Sequence, residues 1–286
     1  MKKVTFKIPA KINITLDVLG VTDGFHDIKS LVASIDVFDT VTAVARKDNL
    51  LTLKLKGIPV DCDVVDNNAF KAGKLFIKKT GCSGADIFID KKIPLGGGLG
   101  GSSADIAGVL KCMEALYKTG KKLTPMANEL GSDSAYMLEG GFAVLTGRGD
   151  KIARKDIDKT LYLILIPEQK STSARAVYKA YDKLEKVGKN STLTAVHALQ
   201  SGDMDKFYSV IKNDLTEGAL TIVPEIYGNI YALKKAGAPA ALMTGSGSCS
   251  YGIFATKKER DVAFNKLKKL YKNTLIKAQT IVPNKK

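Results

Sequence analysis

A glycine-rich segment that runs directly into a strongly patterned helix constrains this chain more than any other feature. The segment reads PLGGGLGGSSAD over residues 94–105. After it, apolar residues recur at helical spacing on one face, and these are Ile106, Val109, Leu110, Met113, Leu116 and Tyr117. Lys111, Glu114 and Lys118 fall on the opposite face. The spacing predicts an amphipathic helix that begins just after Gly101.

The junction between the glycines and the helix suits a phosphate group. Glycines let the backbone approach a ligand without obstruction by a Cβ atom, and a helix N-terminus offers unpaired N–H groups. Ser102 and Ser103 add hydroxyl groups that bind phosphate or magnesium in other nucleotide sites. The segment matches neither the GxxxxGK[ST] nor the GxGxxG fingerprint. Taken alone, it is equally compatible with a flexible glycine turn capped by Ser102.

Composition excludes several classes of protein. The 286 residues are 45% hydrophobic and 26% charged, which is typical of a globular chain and not of a disordered or collagen-like one. Four scattered cysteines and two histidines predict neither a disulfide framework nor a structural zinc site. No apolar run approaches the ~18 residues of a membrane helix. The sequence therefore predicts a cytoplasmic protein with reduced thiols and no membrane partner.

The formal net charge of +15 favours anionic partners, which are a nucleic acid, a membrane or a phosphorylated metabolite, and the charge alone does not choose among them. Nucleic-acid-binding proteins concentrate lysine and arginine in one patch, often with interleaved aromatic residues. Here the lysine pairs are spread along the whole chain, and there is no tryptophan. A small-molecule partner is favoured, and nucleic-acid binding remains the alternative from a different class.

Hydrophobic patterning predicts an α+β fold with two domains. Period-2 alternation predicts strands over Val4–Ile8 and Ile12–Val18, with an interruption at Pro9–Ala10. Charged residues 154–159, followed by an apolar run, divide the chain into domains 1–155 and 156–286. The other predicted strands are 51–55, 87–89, 161–166, 240–243 and 251–255, and the other predicted helices are 67–78, 174–186, 193–200, 226–236 and 258–271.

Three segments together resemble the motifs of the GHMP small-molecule kinases. Residues 9–13 (PAKIN) resemble the first motif, residues 94–103 the phosphate-binding motif, and residues 243–248 (MTGSGS) the glycine-rich third motif. The resemblance implies an N-terminal ATP domain like ribosomal protein S5 and a C-terminal ferredoxin-like α+β domain. It also implies ATP and Mg²⁺ as cofactors, and a monomer or weak homodimer.

Within this family, Asp23–His26 and Leu130–Asp133 resemble one group of enzymes. These kinases phosphorylate the 2-hydroxyl of a cytidine diphosphate derivative of methylerythritol, in the non-mevalonate route to isoprenoid precursors. The alternative within the family is a kinase for a mevalonate-pathway or sugar substrate, because the nucleotide and catalytic motifs are shared.

The resemblance assigns catalytic roles to Asp133, as the base or orienting group for the acceptor hydroxyl, and to Lys11 beside it. The residues alone favour a different interpretation, with Asp133 as the N-cap of a helix at 134–138 and Lys11 as a solvated strand lysine. The implied ATP-binding residues are Asn67, Pro94, Gly96, Gly97, Gly98, Leu99, Gly100, Gly101, Ser102 and Ser103.

On the substrate side, the resemblance implies that His26 reads the cytosine edge while Phe25 and Tyr178 enclose the ring. The implied substrate-binding residues are Asn13, Phe25, His26, Lys151, Tyr178, Gly245, Ser246 and Gly247. Four alternatives stay open: a turn histidine for His26, a core position for Tyr178, a helix N-cap for Asn67, and a solvated turn for Lys151.

Overall fold

The computed structural model describes residues 2–185, 188, 190–272 and 274–282. The strands are β1 (Lys3–Asn13), β2 (Asp17–Thr22), β3 (Phe25–Ala45), β4 (Leu51–Gly57), β5 (Ala85–Lys91), β6 (Ala143–Gly147), β7 (Lys151–Arg154), β8 (Tyr162–Ile166), β9 (Ala240–Met243), β10 (Ser250–Phe254) and β11 (Ile276–Gln279). The helices are α1 (Asn68–Thr80), α2 (Gly101–Tyr117), α3 (Leu123–Leu130), α4 (Ser134–Met137), α5 (Ala174–Asp182), α6 (Thr192–Ser201), α7 (Met204–Val210), α8 (Thr216–Leu220), α9 (Glu225–Lys235) and α10 (Lys257–Tyr271).

The chain forms two compact units that interleave along the sequence. The first comprises residues 1–10, 37–95 and 100–140, and the second residues 11–36, 96–99 and 141–286. The domain boundary predicted at residues 155 and 156 stays a prediction, because a compact unit need not coincide with a functional domain.

In the first unit, α1 and α2 pack together beside a sheet of β4, β5 and the second half of β3. Strand β4 runs parallel to β5, and β5 runs antiparallel to residues 40–45 of β3. Helix α2 is buried over most of its surface. Gly108 stands in its middle because a Cβ atom there would lie 2.4 Å from Cγ2 of Val41. The helix predicted after Gly101 is confirmed, and it is a core element.

The second unit contains the hairpin of β2 and β3, and residues 28–32 of β3 also pair with β6. A separate antiparallel sheet has the strand order β11-β8-β10-β9. Helices α9 and α10 contact this sheet and bury Leu233 and Leu267 with Ile164 and Phe254. Residues 250–254 of β10 are all buried, which explains why this strand lacks alternation in its sequence.

The interruption predicted at Pro9–Ala10 is wrong, because β1 runs continuously from Lys3 to Asn13. A strand accepts proline wherever the position needs no N–H donor. The break comes instead at residues 14–16, between β1 and β2, where the N–H groups of Ile14 and Thr15 both donate to the Leu31 carbonyl.

Most other predicted elements are confirmed within a few residues, including the strand at 240–243 and the helix at 258–271. The helix predicted over 174–186 ends at Asp182, and residue 186 lies outside the described residues. Patterning missed the length of β3 and the short helices α7 and α8. No helix in the described part of the chain is long and apolar enough to cross a membrane.

Candidate active site

The glycine-rich segment connects the end of β5 to the start of α2. Gly96, Gly98 and Gly100 have φ values of +62°, +72° and +76°, a region where residues with a Cβ are strained. Gly100 occupies the N-cap position of α2 and, being glycine, supplies no capping side chain. The first N–H groups of this 17-residue helix are thus not capped by the N-cap residue, which suits an anion site.

Ser102 lies in the first turn of α2, so the alternative of a glycine turn capped by Ser102 is wrong. Its hydroxyl accepts a hydrogen bond from Nδ2 of Asn68 at 2.9 Å. Asn67 caps α1, since its Oδ1 accepts from the N–H of Ala69 at 2.9 Å. The N-cap interpretation of Asn67 is confirmed, and its role beside adenine stays a prediction.

In the second unit, loop residues 96–99 lie against the glycine-rich segment near the C-terminus. A Cβ atom on Gly98 would lie 2.2 Å from the carbonyl oxygen of Thr244, and one on Gly245 would lie 3.2 Å from the Cα of Gly98. The N–H of Ser248 donates to the Gly96 carbonyl at 3.2 Å. The second motif (residues 94–103) and the third motif (residues 243–248) therefore contact each other here, at backbone positions too close together for a residue with a Cβ atom.

Replacing Gly98 with alanine is expected to lower the free energy of unfolding by about 2–4 kcal/mol and to abolish ATP binding, because a left-handed φ and a clash add together. Gly120→Ala is the matched control, since Gly120 has φ +70° with nothing within 4 Å of its Cβ position. Urea titration and ATP calorimetry test both variants. Equal effects of the two substitutions would contradict the close approach to Thr244.

Lys11 is 4% exposed, so the solvated-lysine interpretation is wrong. Its Nζ donates to Oδ1 of Asn13 at 2.6 Å, and Nδ2 of Asn13 donates to Oγ of Ser30 at 2.8 Å. Thr244 and Tyr251 hold the Asn13 backbone, through its N–H and its carbonyl oxygen, each at 2.9 Å. The ammonium group is therefore fixed in a buried polar network, where a charge acts strongly on its neighbours.

The structure brings His26 and Tyr178 together. Their rings stack with centroids 4.6 Å apart, and His26 Nε2 lies 2.6 Å from Oδ1 of Asp182. A cavity of about 180 Å³ is lined by His26, Tyr181 and Asp182. Sequence reasoning missed Asp182, although it lies four residues after Tyr178 and therefore on the same face of a predicted helix.

Phe25 lies apart from this pair, in a second cavity of about 240 Å³ that Lys151 also lines. The Arg148 guanidinium carbon lies 3.5 Å above the centre of the Phe25 ring. Phe25 and His26 are adjacent strand residues, so their side chains point to opposite faces. Enclosure of one base by Phe25 and Tyr178 stays a prediction. Lys151 is exposed.

Asp133 immediately precedes α4 in the N-cap position, but its side chain accepts no hydrogen bond from the N–H groups of that helix. The carboxylate is partly exposed. A cap role for the Asp133 side chain is thus not realised, and its catalytic role stays a prediction.

The remaining predicted residues lie in the two glycine-rich segments. The Gly245 carbonyl accepts from Nδ2 of Asn213 at 2.8 Å, and the Ser246 carbonyl accepts from Oγ1 of Thr172 at 2.9 Å. A Cβ on Gly247 would lie 2.6 Å from Sδ of Met243. Pro94, Gly97 and Leu99 lie in the loop before α2, while Gly101 and Ser103 lie in the first turn of α2.

Comparison with known proteins places these features in a family. Residues 67–147 match the GHMP kinases N terminal domain, and residues 195–273 match the GHMP kinases C terminal domain. The 4-diphosphocytidyl-2-C-methyl-D-erythritol kinase of Cutibacterium acnes is 34% identical over 275 residues, covering 91% of this chain and 89% of that protein. The enzyme of the same name from Caldanaerobacter subterraneus is 33% identical over 280 residues, covering 94% of each chain.

Solved structures show the same fold. A crystal structure of 4-(cytidine 5'-diphospho)-2C-methyl-D-erythritol kinase superimposes with a TM-score of 0.82 at 24% identity, covering 96% of this chain and 98% of that one. Homoserine kinase from Cytophaga hutchinsonii superimposes with a TM-score of 0.78 at 16% identity, covering 99% and 96%. The expected two-domain architecture of mixed α/β content is confirmed.

Proposed function

This chain belongs to the GHMP kinases, and from that membership we propose that it transfers the γ-phosphoryl group of ATP to the 2-hydroxyl of 4-diphosphocytidyl-2-C-methyl-D-erythritol. The observation that carries the proposal is sequence identity above 30% along nearly the whole chain with kinases of that name. We further propose that the enzyme is cytoplasmic and acts as a monomer or weak homodimer.

ATP is proposed to bind with its phosphates at the N-terminus of α2, where the glycine loop leaves N–H groups exposed to an anion. The hydroxyl groups of Ser102 and Ser103 would hold a magnesium ion, which would neutralise charge on the phosphates. The Asp105 carboxylate is engaged on one side by Lys91, whose Nζ lies 2.6 Å from its Oδ2.

Phosphoryl transfer requires an aligned acceptor hydroxyl and neutralised charge on the transferring group. We assign Asp133 to the acceptor hydroxyl, whose proton its carboxylate would accept. We assign Lys11 to the negative charge that develops on the acceptor oxygen and the phosphoryl group. The buried contact to Asn13 holds the Lys11 ammonium group in one orientation, so little reorganisation is needed during the reaction.

The cytidine end of the substrate is assigned to His26 and Tyr178. A stacked pair of an imidazole and a phenol ring offers both an aromatic face and a hydrogen-bonding group to a base. If Nε2 of His26 donates to Asp182, Nδ1 becomes an acceptor that can receive the exocyclic amine of cytosine.

A parallel assay tests the proposed function. Purified protein with ATP and Mg²⁺ is supplied separately with 4-diphosphocytidyl-2-C-methyl-D-erythritol, mevalonate and homoserine, and ADP release is followed. Turnover is expected with the cytidine compound alone. Faster turnover of either other alcohol would overturn the substrate and leave the family membership intact.

His26→Ala is expected to reduce kcat/KM for the cytidine substrate about 10- to 100-fold while the KM for ATP stays nearly unchanged, because one hydrogen-bonding group is lost from a desolvated polar site. Steady-state kinetics with each substrate varied in turn provide the test. His197→Ala is a matched control, since His197 is exposed on α6 and belongs to no motif. Equal losses toward both substrates would indicate a structural role for His26.

A further inference from the structure

Three charged side chains are buried together beside the phosphate-binding loop. Lys91 ends β5, Asp39 lies in β3 and Asp105 lies in α2, and their side chains are 1%, 0% and 8% exposed. Nζ of Lys91 lies 2.5 Å from Oδ2 of Asp39 and 2.6 Å from Oδ2 of Asp105. Apolar residues of similar volume often give equal or greater stability than a buried ion pair. Stability alone is therefore a weak reason for this buried triad of Lys91, Asp39 and Asp105.

The buried triad is bonded to both ends of the loop. Oδ1 of Asp39 accepts hydrogen bonds from the N–H groups of Lys92 at 2.6 Å and Ile93 at 2.9 Å, the residues that lead into the loop. Nζ of Lys91 also lies 3.4 Å from the carbonyl oxygen of Gly101, the first residue of α2. One ammonium group thus links the entrance of the loop to its exit.

The loop between these ends has little conformational preference of its own, because glycine populates many backbone conformations. The direction of its N–H groups must then be set by its fixed ends. Building on the proposed function, we propose that Lys91, with Asp39 and Asp105, is a positioning cluster that holds the phosphate-binding loop in the conformation that binds ATP. These side chains act through the loop and not on the nucleotide itself.

The test removes the charges without leaving one unpaired. A triple variant, Asp39→Asn with Lys91→Met and Asp105→Asn, keeps side-chain volumes close to the wild type. Calorimetry with a non-hydrolysable ATP analogue is expected to show affinity at least tenfold weaker, with an unchanged KM for the cytidine substrate. Amide hydrogen exchange of residues 96–101 without nucleotide is expected to be at least tenfold faster.

Lys111→Met is the matched control, because Lys111 lies on α2, as Asp105 does, and its Nζ donates to the Leu138 carbonyl at 3.0 Å. The ATP affinity and the loop exchange rate are expected to be unchanged in the Lys111→Met variant. If the triple variant has the same loop exchange rate and the same ATP affinity as the wild type, the proposal is overturned. If the triple variant does not fold, the single variant Asp105→Asn is tested by the same two measurements. A smaller loss of ATP affinity and a smaller increase in loop exchange are expected, and wild-type values of both would overturn the proposal.

Failure of this proposal and failure of the proposed function are distinguishable. The exchange measurement needs no substrate, so it decides the role of the buried triad even if the wild-type protein phosphorylates a different alcohol. Conversely, a faster-exchanging loop in the variant says nothing about which acceptor the enzyme uses.

Discussion

Replacing Asp133 with asparagine is expected to lower kcat about 100-fold or more while ATP binds as before. Asparagine preserves the size of the side chain, but its amide cannot accept the proton of the acceptor hydroxyl. Since the Asp133 side chain accepts no hydrogen bond from the N–H groups of α4, the change removes no cap from that helix. Single-turnover kinetics and ATP calorimetry measure the two effects separately.

Asp203→Asn is the control for this experiment. Asp203 caps α7 and, unlike Asp133, does accept a hydrogen bond from its helix, from the N–H of Lys206 at 3.0 Å. Its replacement is expected to leave kcat unchanged. Activity of Asp133→Asn within a few-fold of wild type would remove the catalytic role and leave Asp133 as a residue of the turn before α4.

The elements that the sequence predicts best are those whose pattern and environment agree. Helix α2 combines a glycine break with apolar spacing over about three turns, and its bounds follow closely from the sequence. Strand β1 shows the opposite case, because proline is a reliable break signal only where a strand needs its N–H group. Strand β3 is long because different parts of it pair with β5 and β6, which no local pattern reports.

The sequence predicts which residue types form the candidate site, but it does not predict how deeply each side chain is buried or what it contacts. Burial of Lys11 depends on Thr244 and Tyr251, which hold the neighbouring Asn13 from more than 200 residues away in sequence. A lysine in so basic a chain gives no local sign of such burial. From the sequence, Lys91 likewise resembles an ordinary surface lysine of a Lys-Lys pair, because its partner Asp39 lies on a different strand, β3.

Lys11→Met is expected to reduce kcat/KM about 100- to 1000-fold, the usual effect of removing one preorganised charge or donor from a transition state. Removal of the ammonium group also leaves Oδ1 of Asn13 without its donor at 2.6 Å, which is expected to lower the free energy of unfolding by about 1–3 kcal/mol. Lys7→Met is the control, because Lys7 lies on the same strand and is exposed. Steady-state kinetics and thermal unfolding on both variants separate catalysis from stability, and near-wild-type kinetics in Lys11→Met would contradict its role.

The double variant Lys11→Met with Asp133→Asn tests whether the two residues act as a unit. If both residues act on the same acceptor oxygen, Asp133 by accepting its proton and Lys11 by stabilising its negative charge, then either single substitution already removes the shared contribution. The double variant is then expected to lose about as much kcat as the worse single variant, as groups that act together are strongly non-additive. Losses that multiply instead would mean that Lys11 serves the phosphates of ATP independently of Asp133, because independent contributions to a barrier add in free energy.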